Sequence, residues 1–182
     1  MILDFLFGKK KQENPPPSVP QPDLTPIQAT QIKQAPAPGT SINFSPDLVL
    51  HLEADHQKLL QIFTSIGDAF SVGDLPVTTQ RLEDFRGALQ SHLLTESVRL
   101  YIYLEHALAQ DAESHALIHE FRHEMEGIGK AVLEFLGKYH QLAVQPNLVA
   151  SFGNDLSAVG KVLVERIQRE ESTLYPLYLP AY

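Results

Sequence analysis

His92-Leu93-Leu94-Thr95-Glu96 sets an imidazole and a carboxylate four residues apart. On a helix that spacing stacks both side chains on one face. Counted at about 100° per residue, the apolar stripe of this segment runs through Leu82, Phe85, Leu89, Leu93, Leu100, Tyr103 and Leu104, and both polar residues fall within it. They are expected to face a core. An ionised carboxylate buried beside an imidazole is costly unless each finds a partner: a metal ion, a cationic side chain, or each other.

Four amphipathic segments must position this pair. Ser45-Pro46-Asp47 reads as a helix start, with a capping serine, a first-turn proline and an acid at the positive end of the dipole. The first helix is expected to reach about Phe70, with Leu48, Leu52, His56, Leu59, Phe63, Ile66 and Phe70 inward, before Ser71 to Pro76 breaks it. The second spans about Thr79 to Ala109. The third spans about Asp111 to His140, with Ile118, Phe121, Met125, Ile128, Val132, Phe135, Leu136 and Tyr139 on one side. After Gln145-Pro146-Asn147 the fourth carries Phe152, Leu156, Val159, Leu163, Ile167, Glu170, Leu174 and Leu177. Long amphipathic helices with short connections make antiparallel neighbours, so the expected fold is all-α: an antiparallel up-down-up-down four-helix bundle over residues 45–182.

The helical rise of 1.5 Å per residue puts His56 and His92 level, each about 20 Å from the first turn. Glu96 then lies near the height of Glu124 and Met125, these near Leu163 to Arg166, and Glu170 a turn further along. One polar layer is expected, of His56, His92, Glu96 and Glu170 with Arg166 beside it. Glu170 centres on its stripe and Glu171 swings to the edge. In the third segment His119-Glu120-Phe121-Arg122-His123 has the spacing of metal ligands. With Phe121 inward, however, His119 and His123 each lie about 160° away and meet solvent. His51, His106, His115 and His140 fall off or beside the stripes and read as surface residues. Tyr101, Tyr103, Tyr175 and Tyr178 read as packing residues with hydroxyls at the rim.

A histidine on the first helix, His-x-x-x-Glu on the second and a fourth helix ending Glu170-Glu171-Ser172-Thr173-Leu174-Tyr175-Pro176 resemble the hemerythrin-like, or HHE cation-binding, family from about Ser45 onward. The resemblance implies a four-helix bundle around a non-haem di-iron centre, in a protein that binds dioxygen or senses oxygen, nitric oxide, redox state or iron. It implies metal-ligand roles for His56, His92, Glu96 and Glu170. The family's third-helix histidines, and the histidine four or five residues before its fourth-helix acid, have no counterpart here. Phe121 and Met125 face inward on the third helix, and Arg166 or Ile167 stands on the fourth. Two readings follow. In one, a reduced site holds a single ion such as iron, zinc or manganese, with Glu124 in reach. In the other, which Arg166 makes the leading expectation, the guanidinium replaces the metal by pairing with Glu170 or Glu96, no cofactor is bound, and the domain acts through a protein partner. Either makes the chain a sensory or regulatory module. No phosphate loop and no hydrolase triad is present in the sequence, and an enzyme is not expected.

Composition narrows the partners. The net charge of the 182 residues is -8. Residues 1–45 hold four lysines (Lys9, Lys10, Lys11, Lys33) against three acids (Asp4, Glu13, Asp23), which leaves -9 for the remainder. So acidic a body lacks the clustered cations that nucleic acid requires. Absent cysteine removes thiolate ligands and suits a cytoplasmic protein. Residues 12–44 are rich in proline and are expected to form a disordered, extended linker. Residues 1–11 pair an apolar start, Met1 to Gly8, with Lys9-Lys10-Lys11, the wrong charge order for a secretory signal. They are expected either to fray or to touch an anionic membrane or a partner's groove.

Overall fold

A computed structural model describes residues 36–181. The terminal peptide 1–11 and the linker up to residue 35 lie outside the described residues. The described chain is an antiparallel four-helix bundle without strands. Helix α1 is Leu48–Ser71 and α2 is Leu75–Thr95; α2 runs on through a π turn, Glu96–Tyr101, into α3, Ile102–Ala107. Helix α4 is Ala112–Tyr139, and α5 is Pro146–Arg169, continued by a second π turn, Glu170–Leu174. In cross-section α1 packs beside α2 and α5, and α4 packs beside the same two. Among the described residues no helix is long and apolar enough to cross a membrane.

Two helix starts differ from expectation. Ser45 does not cap α1; its carbonyl accepts from Leu48 N, while its own N–H donates to the Tyr178 hydroxyl over 2.9 Å. Helix α2 begins at Leu75 rather than near Thr79. Asp74 caps it by accepting from Val77 N at 3.1 Å, and Pro76 sits in the first turn, where its missing N–H costs nothing. Residues 36–44, expected as the end of the linker, instead lie on the bundle. Ala37 is buried, and Phe44 stacks on Tyr178 with ring centroids 4.8 Å apart.

The core is divided. One apolar cluster, around Leu59, Ile66, Phe85, Leu136, Tyr139 and Phe152, fills one end of the bundle. A second, around Leu52, Leu100, Tyr103, Ile118, Phe121 and Leu174, fills the other. Between them along the helices lie the buried polar residues His56, His92, Glu96, Arg166 and Glu170.

Helical glycines test the packing of the first cluster. A methyl group at Gly160 would come within 2.8 Å of the Phe63 ring, itself held edge-on to Phe85, whereas at Gly137 it would meet open space. Gly137→Ala is expected to stabilise the fold by up to about 1 kcal/mol through helix propensity. Gly160→Ala is expected to lose about 1–3 kcal/mol to overpacking. Urea unfolding measures both, and equal shifts in one direction would contradict this account.

Candidate metal centre

The polar layer is assembled from three helical rods. His56 comes from α1, His92 and Glu96 from the junction of α2 with its π turn, and Arg166 and Glu170 from the junction of α5 with the other. All five are buried. The four candidate ligands converge: each of His56, His92, Glu96 and Glu170 offers one donor atom, and those atoms lie within 4.8 Å of one another. His56 Nε2 is 3.2 Å from Glu170 Oε2, and His92 Nε2 is 3.7 Å from Glu96 Oε2.

Both imidazoles turn their other nitrogen outward to a carboxylate. His56 Nδ1 is 2.8 Å from Glu171 Oε1. His92 Nδ1 faces Asp55 Oδ2 at 3.9 Å, too far for a hydrogen bond. The carboxylate bonded behind the His56 ring is the arrangement that fixes the tautomer and basicity of a metal-ligating histidine. Two buried atoms in the cluster have no partner, His92 Nδ1 and Glu96 Oε2.

Arg166 occupies the adjoining volume. Its Nε donates to Glu170 Oε1, its Nη1 to Glu124 Oε2 at 3.2 Å, and its Nη2 to the Tyr101 hydroxyl at 2.8 Å and the Phe121 carbonyl at 3.1 Å. The guanidinium also lies over the Phe121 ring, 4.8 Å from its centroid. Glu124, which sequence placed within reach of an ion, is instead shared by Arg166 and Arg169. Arg166 pairs with Glu170, not with Glu96.

The tyrosines correct another expectation. Tyr103 and Tyr178 do bond near the chain end, Tyr103 donating to the Leu179 carbonyl at 2.8 Å. The hydroxyls of Tyr101 and Tyr175, however, enter the polar layer. Each follows a cluster glutamate by five residues across a π turn: Glu96 to Tyr101, Glu170 to Tyr175. Uninterrupted α winding would turn each tyrosine about 140° from its glutamate, whereas i to i+5 bonding brings the two nearer one face. The links cross the bundle. Tyr175 donates to Glu96 at 3.0 Å, and Tyr101 accepts from Arg166, the partner of Glu170.

His119 and His123 are exposed on α4, with Phe121 buried and Met125 half-buried on its inner side. His115 is half-buried, packed edge-on to His119. His51, His106 and His140 are not among the converging donors; His140 Nδ1 contacts the Gly137 carbonyl instead.

The sequence profile of the hemerythrin HHE cation binding domain matches residues 47–178. The chain belongs to this family. Searches among curated proteins and among solved structures each found no match. This hemerythrin domain thus brings together the four residues to which the family resemblance gave ligand roles. It also adds Asp55, which the periodicity does not single out, and gives Glu171, Tyr101 and Tyr175 contacts with the layer instead of edge and rim positions. The repeated Glu-x-x-x-x-Tyr spacing was the available signal for the tyrosines.

Without a cation the cluster holds protons unevenly. Burial, followed by the charge of Glu170, pushes the Glu96 carboxyl up to about 8. Burial, followed by the charge of His56, holds His92 down to about 4. For His56 burial also pulls downward, but hydrogen bonds to Glu170 and Glu171 outweigh it and the net direction is up. Folded Glu96 and His56 therefore keep protons that the unfolded chain gives up, a stabilisation lost as pH rises through their folded values. His92 acts oppositely, stabilising above its ordinary value of 6.5 and losing that contribution as pH falls toward about 4. The metal-free domain is expected to lose stability as pH rises from about 6.5 to about 8, less so in Glu96→Gln. A melting midpoint that climbs across that range would contradict the assignment.

Arg166→Met leaves Glu170 buried beside Glu96 with no guanidinium. The expected loss is about 3–5 kcal/mol, read by denaturant unfolding. A loss under about 1 kcal/mol would mean that the pair contributes no more than a surface one.

Proposed function

We propose that this domain binds a single transition-metal ion through His56, His92, Glu96 and Glu170 and serves as a sensory or regulatory module rather than an enzyme. The observation that carries the reading is the convergence of four buried donors, with the His56 ring backed by the Glu171 carboxylate. Two nitrogens and two carboxylate oxygens suit a hard or borderline ion such as iron, zinc or manganese, and family membership favours iron. One unpartnered atom fits the same reading. A core built to be complete without metal would have satisfied Glu96 Oε2, which faces the inward nitrogen of His92.

One ion, not two, is what these donors support. The third helix of the resemblance offers Phe121 and Met125 where imidazoles would be needed. Arg166 then supplies the positive charge that a second ion would have brought to Glu170. When bound, the single ion would supply Lewis-acid and redox chemistry. The chain's own residues orient the His56 imidazole through Glu171, hold Glu170 against Arg166, and keep bulk water out.

The surroundings favour sensing over catalysis on an organic substrate. The cavity between the cluster and Leu59, Leu93, Met125 and Leu163 has room of about 20 Å³, enough for one water-sized molecule. Such a site can report a small ligand or its own metal. The output is expected to be a change in contact with a protein partner.

The second reading keeps the cluster metal-free, and Arg166 favours it, since the guanidinium already neutralises Glu170. Metal analysis of protein from iron-supplemented cells separates the two. The metal reading predicts one ion per chain, a higher melting temperature with metal, and loss of both in His92→Ala and Glu96→Ala. Chains without metal, whose melting iron, zinc and manganese all leave unmoved, would establish the metal-free core.

A further inference from the structure

The two tyrosines of the π turns are held in different ways. Tyr101 is taken up by Arg166, whose Nη2 donates to its oxygen over 2.8 Å. Tyr175 meets candidate ligand atoms instead. Its hydroxyl donates to Glu96 Oε1 at 3.0 Å and lies 3.2 Å from His56 Nε2. That nitrogen is the inward one of His56, because Glu171 holds the other. Glu170 Oε2 stands at the same 3.2 Å from it.

Donors that share one ion at about 2.1 Å and stand at right angles are about 3 Å apart. The Tyr175 oxygen thus stands to His56 Nε2 as one ligand stands to its neighbour, while it meets Glu96 at Oε1 and leaves Oε2 open. Its ring lies nearly parallel to the His56 ring, at 11°, and only 3% of the residue is exposed. Nothing in a purely apolar packing role requires the hydroxyl to end among these atoms.

We propose that Tyr175 is a fifth ligand of the site, its phenolate oxygen completing a set of two nitrogens and three oxygens that favours a hard ferric ion. This rests on the metal-binding reading above. On coordination the Tyr175 O–H bond breaks and an oxygen–metal bond forms. Glu96 Oε1 is the nearest acceptor for the proton, which passes on to bulk water. The ion arrives ferric and stays ferric, so no electron donor or acceptor is needed.

The test uses the full chain loaded with ferric nitrilotriacetate and desalted, with iron content and visible spectrum measured together. The expected result is iron bound with a phenolate-to-iron charge-transfer band, and with phenolate ring modes enhanced in the resonance Raman spectrum. Tyr175→Phe should lose the band at least tenfold while still taking up iron, and Tyr101→Phe should keep it. Iron bound with no such band, or a band undiminished in Tyr175→Phe, overturns the assignment and leaves the four-ligand site standing. A wild-type chain that takes up no iron overturns the metal-binding reading itself. Circular dichroism verifies that Tyr175→Phe is folded; should it not be, the wild-type Raman spectrum decides whether a phenolate is bound.

Discussion

Two carboxylates buried at mid-height in an apolar bundle are the constraint on which the rest of the structure depends. Glu96 and Glu170 are removed from water, where an uncompensated charge is not tolerated, and the surrounding residues can be understood as answers to that cost. Glu170 takes a guanidinium on one oxygen and the His56 imidazole on the other. Glu96 takes the Tyr175 hydroxyl on one oxygen and has nothing on the second. The asymmetry matters. Arg166 compensates one side of the layer, while the other keeps an open oxygen, an uncharged His92 and the inward nitrogens of two rings.

Helix geometry makes that asymmetry possible. Both rods that supply a glutamate switch to π winding at that glutamate, and both return a tyrosine to the polar layer five residues later. The first glutamate binds the second rod's tyrosine, and the second glutamate's arginine binds the first rod's tyrosine. Opposite rods are thereby tied at one height, and the apolar clusters on either side hold the layer in place. Bulges of this kind are recurrent at functional sites because they re-aim side chains without breaking a helix.

Much of this was legible in the sequence. Apolar periodicity carries the four rods and sends His119 and His123 outward, because a stripe of large side chains has one inward face and Phe121 claims it. The same counting separates Glu170 from Glu171, whose burial differs as a one-residue rotation requires. What periodicity could not show were departures from α winding. A count at a fixed angle per residue leaves Tyr101 and Tyr175 at the rim, and only the switch to i to i+5 bonding brings them in. The start of α2 differs for a local reason: Pro76 reads as a breaker in sequence, but the Asp74 cap makes it a first-turn residue. Asp55 beside His92 and the bond of Glu171 to His56 were invisible because a partner on another helix defines them, and no spacing within one helix encodes it.

Central to the proposed site is that Arg166 stands where a second cation would, so that the remaining donors hold one ion. Anomalous diffraction at the iron edge, on crystals grown after loading, tests it most directly. The account predicts one anomalous peak among His56, His92, Glu96 and Glu170, with the Arg166 guanidinium still on Glu170. Two peaks with Arg166 displaced, or no peak among these four side chains, would contradict it.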